Sequence, residues 1–173
     1  MNVFGREVHS LKSVQQKNYH YYFSEGQGRG NPLASPFMTS FEEKLDIELM
    51  QKASSLFQGE KCFVNYTIND KKDEECIRKI KVCRIDKNTH FTASFFPASS
   101  YFLEIEAKGF MRGQVRLIMG ALVRVGLNEL TLSEVEKSLK GKDPSFVKFL
   151  APASGLMLTK SHINIGNPSS LPQ

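Results

Sequence analysis

The pattern of apolar and polar positions is sharpest between Tyr101 and Gly126, where its period changes halfway. From Tyr101 to Ala107 it alternates. Phe102, Glu104 and Glu106 share one side, and Leu103 and Ile105 the other, which predicts a half-buried strand. Past Gly109, the apolar residues Met111, Val115, Ile118, Met119, Leu122 and Val125 recur at helical spacing. This predicts a helix from Phe110 with one apolar face and a stop at Gly126. Arg112 and Arg116 fall one turn apart on the flank of that face. Gly113 and Gly120 lie on nearly one line of the same helix. Each costs roughly 1 kcal/mol against alanine there, so the pair predicts a close neighbour, either another backbone or a ligand.

The rest of the chain divides in the same way. Lys17 to Phe23 is dense in aromatics and free of Gly and Pro, as a strand would be. Gly26 to Pro36 is a loop by composition. Leu45, Leu49, Met50, Ala53, Leu56 and Phe57 predict an amphipathic helix over 44–57, ending before Gly59. Asn69 to Glu75 is charged and turn-prone, and predicts a solvated loop. Cys76 to Ile85, with Ile77, Ile80, Val82 and Ile85, predicts a strand, followed by a turn over Asp86–Asn88. Phe91 to Phe96 predicts a further strand before Pro97. Thr131-Leu132-Ser133-Glu134 is a capping-box pattern opening a short helix to Lys140, which Asp143-Pro144 breaks. A last strand follows to Ile163, and a frayed tail from Gly166.

Composition narrows the class. At 173 residues, with 40% hydrophobic and 24% charged residues, the chain predicts a single domain over 1–173 with a sizeable core. A net charge of +5 and a pI near 9.1 fit a phosphate-rich partner, and equally fit an ordinary basic surface. No apolar run approaches the roughly 18 residues that a membrane span needs, and no signal-peptide pattern opens the sequence. Cys62, Cys76 and Cys83 are an odd set without a C-x-x-C pair. They predict reduced thiols in a cytosolic protein, with neither a disulfide framework nor a zinc site.

The string Ala107-Lys108-Gly109-Phe110-Met111-Arg112-Gly113-Gln114-Val115-Arg116-Leu117-Ile118-Met119-Gly120 resembles the A-x-x-F-(L/M/V)-x-x-x-V-R-x-x-x-G stretch of the tRNA pseudouridine synthase A family. Lys17 to Tyr21 is similar to its (R/K)-x-Y-x-Y strand. Ahead of it, Val8-His9-Ser10-Leu11 stands in the place of F-H-A-R, with His9 matching and Leu11 departing. Leu45-Asp46 through Phe63 resembles the family's L-D helix, although Lys61 and Cys62 replace a usual His-Asp. Arg78 matches the arginine of an R-x-I strand. Ala151-Pro152-Ala153-Ser154-Gly155-Leu156-Met157-Leu158 resembles A-P-A-x-G-L-x-L, in which proline and glycine fix the approach to the last strand.

The resemblance implies an α+β fold, with a mixed, mostly antiparallel sheet and helices packed on one face. It implies a catalytic pocket formed by Tyr19, Arg116 and Leu156, lined also by Phe110 and Met111. A flat tyrosine ring can stack on a flipped base, and its hydroxyl can hold or take a proton. An arginine beside a carboxylate keeps that carboxylate ionised and aimed. Leu156 would be an aliphatic wall. These three should converge on one open cleft, with the strand of Tyr19 beside the last strand or one strand away. Lys108 and Arg112 are the RNA-binding candidates. tRNA is the implied partner, a homodimer the implied assembly and the cytoplasm the implied location, with no cofactor and no metal. The family's nucleophile is an aspartate within G-R-x-D-x-G-V-H-A, and no such string occurs in this sequence. Gly5-Arg6-Glu7-Val8-His9-Ser10 shares letters with it but has no aspartate. The resemblance spans residues 8–163, the C-terminal part of the family's length, so these residues alone are expected to be inactive. Two other readings compete: a catalytically silent RNA-binding module, and a structural or oligomerisation domain.

Overall fold

Strand β1 (Val14–Ser24) is the member of the sheet on which the others assemble. The computed structural model describes residues 14–26, 30–69, 72–90 and 93–163. His9, Leu11 and the Gly5-Arg6 string fall outside the described residues, as does the predicted tail. β5 (Tyr101–Ala107) pairs antiparallel with β1 along one side, placing Tyr19 against Ile105 and Tyr21 against Leu103. β6 (Leu156–Ile163) pairs antiparallel on the other side, with Leu158 against Tyr19 and Leu156 against Tyr21. β2 (Thr39–Ser40) is a short parallel addition at the end of β1. β4 (Ile77–Lys87) and β3 (Gly59–Cys62) continue the sheet beyond β5, both antiparallel.

Alternation along the strands sorts their residues onto two faces. Tyr21, Phe23, Leu103 and Ile105 are fully buried in the main core. Helices α1 (Ile47–Ser55) and α2 (Gln114–Gly126) cover that face. The opposite face carries a small cluster of Tyr22, Met38 and Phe102, flanked by Phe96 and Met157. Beside it Asn18 donates to Glu104 (2.9 Å), Arg84 pairs with Glu104 (2.8 Å) and Lys81 pairs with Glu106 (2.9 Å). The fold is therefore α+β, with a mixed, mostly antiparallel sheet and helices on one face.

Several elements differ from the sequence pattern, each for a local reason. The apolar residues of β4 do not alternate because a bulge lies between Ile80 and Val82. The extra residue turns Cys83 and Ile85 back toward the core, where both are buried. Asp86 and Lys87 remain paired with Phe102 and Tyr101, so the predicted turn there is strand. Residues 93–96 form a turn, closed by Phe96 N–H donating to the Ala93 carbonyl (2.9 Å), in place of a strand. α1 is shorter than predicted and starts at its cap, where the Asp46 side chain accepts from the Leu49 N–H (2.9 Å). The third helix, α3 (Leu132–Ser138), has the predicted capping box: Thr131 accepts from Glu134 N–H, and the Glu134 carboxylate accepts from Thr131 N–H.

The largest correction concerns α2. It begins at Gln114, a full turn after Phe110, and Gly113 is its N-cap with φ of 75°. A left-handed residue cannot continue a right-handed helix. Gly113 is thus outside the helix, and Arg112 stands in the turn before it rather than on its flank. Nor is only one face of α2 apolar and buried. Of its 13 residues only Arg116 and Arg124 are partly exposed.

Candidate functional site

The far side of α2 is covered by the chain segment 145–151. A Cβ at Gly120 would overlap the Phe149 carbonyl oxygen, so glycine lets the segment lie flush on the helix. Two arginines fasten it. Arg124 Nη1 donates to the Val147 carbonyl (2.8 Å), and Arg116 Nε donates to the Ala151 carbonyl (2.6 Å). Ala151 N–H returns a bond to the Arg116 carbonyl (3.2 Å). Arg116 is therefore held by one nitrogen, and its two terminal nitrogens have no partner among the described residues.

The segment that follows is fixed by a relay of hydroxyls. The Tyr21 hydroxyl donates to the Pro152 carbonyl (2.8 Å). Its single proton is then used, so Thr39 Oγ1 donates to it (2.9 Å), and Ser154 Oγ donates in turn to Thr39 (3.0 Å). Burial pushes the Tyr21 hydroxyl up to about 12, against opposing effects from the Thr39 hydrogen bond and the Arg116 charge. Gly155 packs on β1: its carbonyl accepts from Tyr22 N–H (2.8 Å), and a Cβ there would overlap the Tyr22 carbonyl. These contacts deliver Leu156 to the start of β6, opposite Tyr21.

The turn between β5 and α2 forms the other wall. Glycine at 113 is favoured by its φ of 75°, and a Cβ there would also push on the tip of the Ile68 side chain, Cδ1 being 2.5 Å away. Ile68 N–H donates to the Arg112 carbonyl (3.1 Å), and Gln114 Oε1 accepts from Met111 N–H (2.8 Å). Phe110 meets Tyr19 edge to face, with centroids 5.4 Å apart and planes at 82°.

Between the two walls lies an open cleft of about 340 Å³. Tyr19, Phe110, Met111, Arg112, Arg116 and Leu156 all line it, and β1 and β6 are adjacent strands. Residues from three separate stretches of sequence thus meet at one place. Lys108 is exposed and is not part of this lining. Arg112 is exposed and makes no ion pair among the described residues, which leaves its charge available to an anion. Ile68 and Gln114 also line the cleft, and neither was a candidate from sequence. Ile68 follows a short 3-10 turn over Val64–Tyr66, a stretch that the pattern did not connect to this site. Gln114 is a neutral polar position between Arg112 and Arg116 in the predicted helix, and that polarity was the available signal.

Comparison with known proteins is consistent across the chain. Residues 53–162 match the family model described as tRNA pseudouridine synthase. The protein named tRNA pseudouridine synthase A of Limosilactobacillus reuteri (strain DSM 20016) is 26% identical over 152 residues, covering 88% of this chain and 56% of the relative. Its namesake in Fervidobacterium nodosum is 31% identical over 147 residues, covering 85% of this chain and 56% of the relative. That of Thermoanaerobacter sp. (strain X514) is 31% identical over 152 residues, covering 88% and 58% respectively. The chain spans less than two thirds of the length of the curated relatives it matches. With well over half of its residues inside the family match, the chain belongs to the tRNA pseudouridine synthase family.

Proposed function

We propose that residues 1–173 form one domain, equivalent to the C-terminal part of a tRNA pseudouridine synthase, that supplies one side of a uridine pocket and part of an RNA-binding surface. The observation that carries this reading is the meeting of Tyr19, Arg116 and Leu156 in one open cleft. Isomerising uridine breaks the bond from C1′ of the ribose to N1 of the base and forms one from C1′ to C5. The C5 proton is lost and N1 gains one, so no atoms are added. The base must leave its stack to be reached. The Tyr19 ring, braced edge-on by Phe110, gives a flat surface for it, and Leu156 closes one edge. The terminal nitrogens of Arg116, without a partner among the described residues, suit a carboxylate in bidentate geometry. That carboxylate would be the nucleophile, contributed by a segment outside this sequence. In this reading the protein acts in the cytoplasm as a homodimer, on tRNA and without a cofactor.

Incubation with unmodified tRNA, followed by a pseudouridine assay and a binding titration over a salt series, tests it. The 173 residues should bind tRNA with salt-sensitive affinity and form no product. Product above background would mean that the nucleophile lies within this chain. Absence of binding even at low salt would remove the RNA reading altogether.

A further inference from the structure

Gln114 is a buried residue of the cleft whose hydrogen bonding is left incomplete among the described residues. It is 1% exposed. Its amide has a fixed orientation, because Met111 N–H donates to Oε1 at 2.8 Å and only the oxygen can accept. The NH2 end is therefore the remaining group, and Nε2 is buried without an acceptor among the described residues. Buried donors are almost always paired, and leaving one unpaired is costly. The residue lines the cleft, one position after the left-handed Gly113 and two before Arg116.

We propose that Gln114 Nε2 reads the base: it donates a hydrogen bond to an exocyclic carbonyl oxygen of a uracil ring held in the cleft. This assignment rests on the uridine reading above. The group required is an acceptor, and the cationic Arg112 and Arg116 on the same rim are the better partners for anions. Uracil offers two neutral carbonyl oxygens, at C2 and C4. A half-turn of the ring about its N3–C6 axis, which exchanges N1 for C5, also exchanges these two carbonyls. One amide donor at a fixed position therefore meets a carbonyl oxygen both before and after the base turns. Gln114 makes no bond to the reacting atoms; it holds the ring in plane while the other groups act.

The test compares two short single-stranded RNAs, one with a central uridine and one with an abasic site there, by fluorescence polarisation at low salt. The measured quantity is the ratio of their dissociation constants for the 173-residue chain. Gln114→Glu keeps an oxygen for Met111 N–H but has no donor, and its added charge acts on both RNAs alike. Gln114→Met is neutral and of similar length. The wild-type ratio should favour uridine, and both variants should lower that ratio roughly 2- to 10-fold. The side-chain amide resonances of Gln114 should shift with the uridine RNA and not with the abasic one, which a purely structural glutamine would not do. A ratio unchanged in both variants, or Gln114 amide resonances that stay still while uridine is preferred, overturns the assignment and leaves the uridine cleft standing. No preference for uridine in the wild type overturns both.

Discussion

Gly120 on α2 and Phe149 on the covering segment touch backbone to backbone, with no room for a Cβ between the helix and the Phe149 carbonyl oxygen. The contact explains why a glycine persists in the middle of a 13-residue helix. It also sets the height at which segment 145–151 runs over α2, and so where Arg116 and Ala151 meet.

Gly120→Ala should therefore destabilise the protein, although alanine is the better helix former. Overpacking against immobile backbone costs about 1–3 kcal/mol, and more when nothing can yield. The gain in helix propensity returns roughly 1 kcal/mol. We expect a lower urea midpoint and a melting temperature lower by several degrees. An equal or higher melting temperature would show that the segment is not seated on Gly120 in solution.

Tyr21→Phe should loosen the approach to Leu156. The change deletes the donor to Pro152 and the acceptor for Thr39, which is itself buried. Leaving a buried hydroxyl without its partner costs about 1–3 kcal/mol. Amide hydrogen exchange should quicken at the Ala151–Leu156 turn more than in β4, which this hydroxyl does not reach. A uniform change over the whole sheet would contradict a local relay.

The α2 region shows which features were legible in the sequence. The strand from Tyr101 and the turn at Gly109 followed from the change of period, and the buried line Val115, Ile118, Met119, Leu122 and Val125 from its helical spacing. The start of the helix did not, because a left-handed Gly113 looks the same in a string as a helical one. Nor did the burial of both sides, since covering by 145–151 depends on residues some thirty positions away. The convergence of Tyr19, Arg116 and Leu156 followed from resemblance, not from periodicity. Gln114 was passed over because a neutral polar letter between Arg112 and Arg116 carries no geometry. In β4 a bulge disguised the alternation, a displacement that sets no residue preference strong enough to read.

The polar face of the sheet should give an acid-sensitive contribution to stability. For Glu104, burial acts to raise the carboxyl, but hydrogen bonds from Asn18 and Arg84 and the Arg84 charge prevail, holding it below its ordinary 4.5. A carboxylate with a depressed folded value stabilises the fold above its unfolded value, and that contribution is lost as pH falls through the folded one. Arg84 is largely exposed, so screening makes the effect modest. Glu104→Gln should accordingly lower the urea midpoint at neutral pH, and the gap from wild type should narrow as pH drops below 4.5. A gap that is constant with pH would mean that shape, not charge, is what Glu104 supplies.

RNA binding should be governed by charge and should centre on Arg112. Its guanidinium is exposed on the rim of the cleft and is without an ion pair among the described residues. Arg116 is partly engaged with Ala151, and Lys108 stands outside the lining. Each phosphate neutralised releases condensed counterions, so log K should fall by about 0.7–0.9 per contact for each tenfold rise in salt. With one side of the groove supplied, the dissociation constant for tRNA should lie near the non-specific range, about 10⁻⁴ to 10⁻⁶ M at physiological salt. Arg112→Glu should weaken binding and flatten the salt slope by about one contact. Arg124→Glu is a poor control, because Arg124 donates to Val147 and pairs with Glu129 at 3.5 Å, so its loss would release the covering segment. Lys79→Glu is a better one: Lys79 is exposed on β4, two strands from β1 and outside the cleft lining, and its loss should change affinity through net charge alone. Polarisation titrations at several salt concentrations compare the three proteins. Equal slopes for Arg112→Glu and wild type would move the phosphate path away from this rim, whereas a steeper loss for Lys79→Glu would place it near β4.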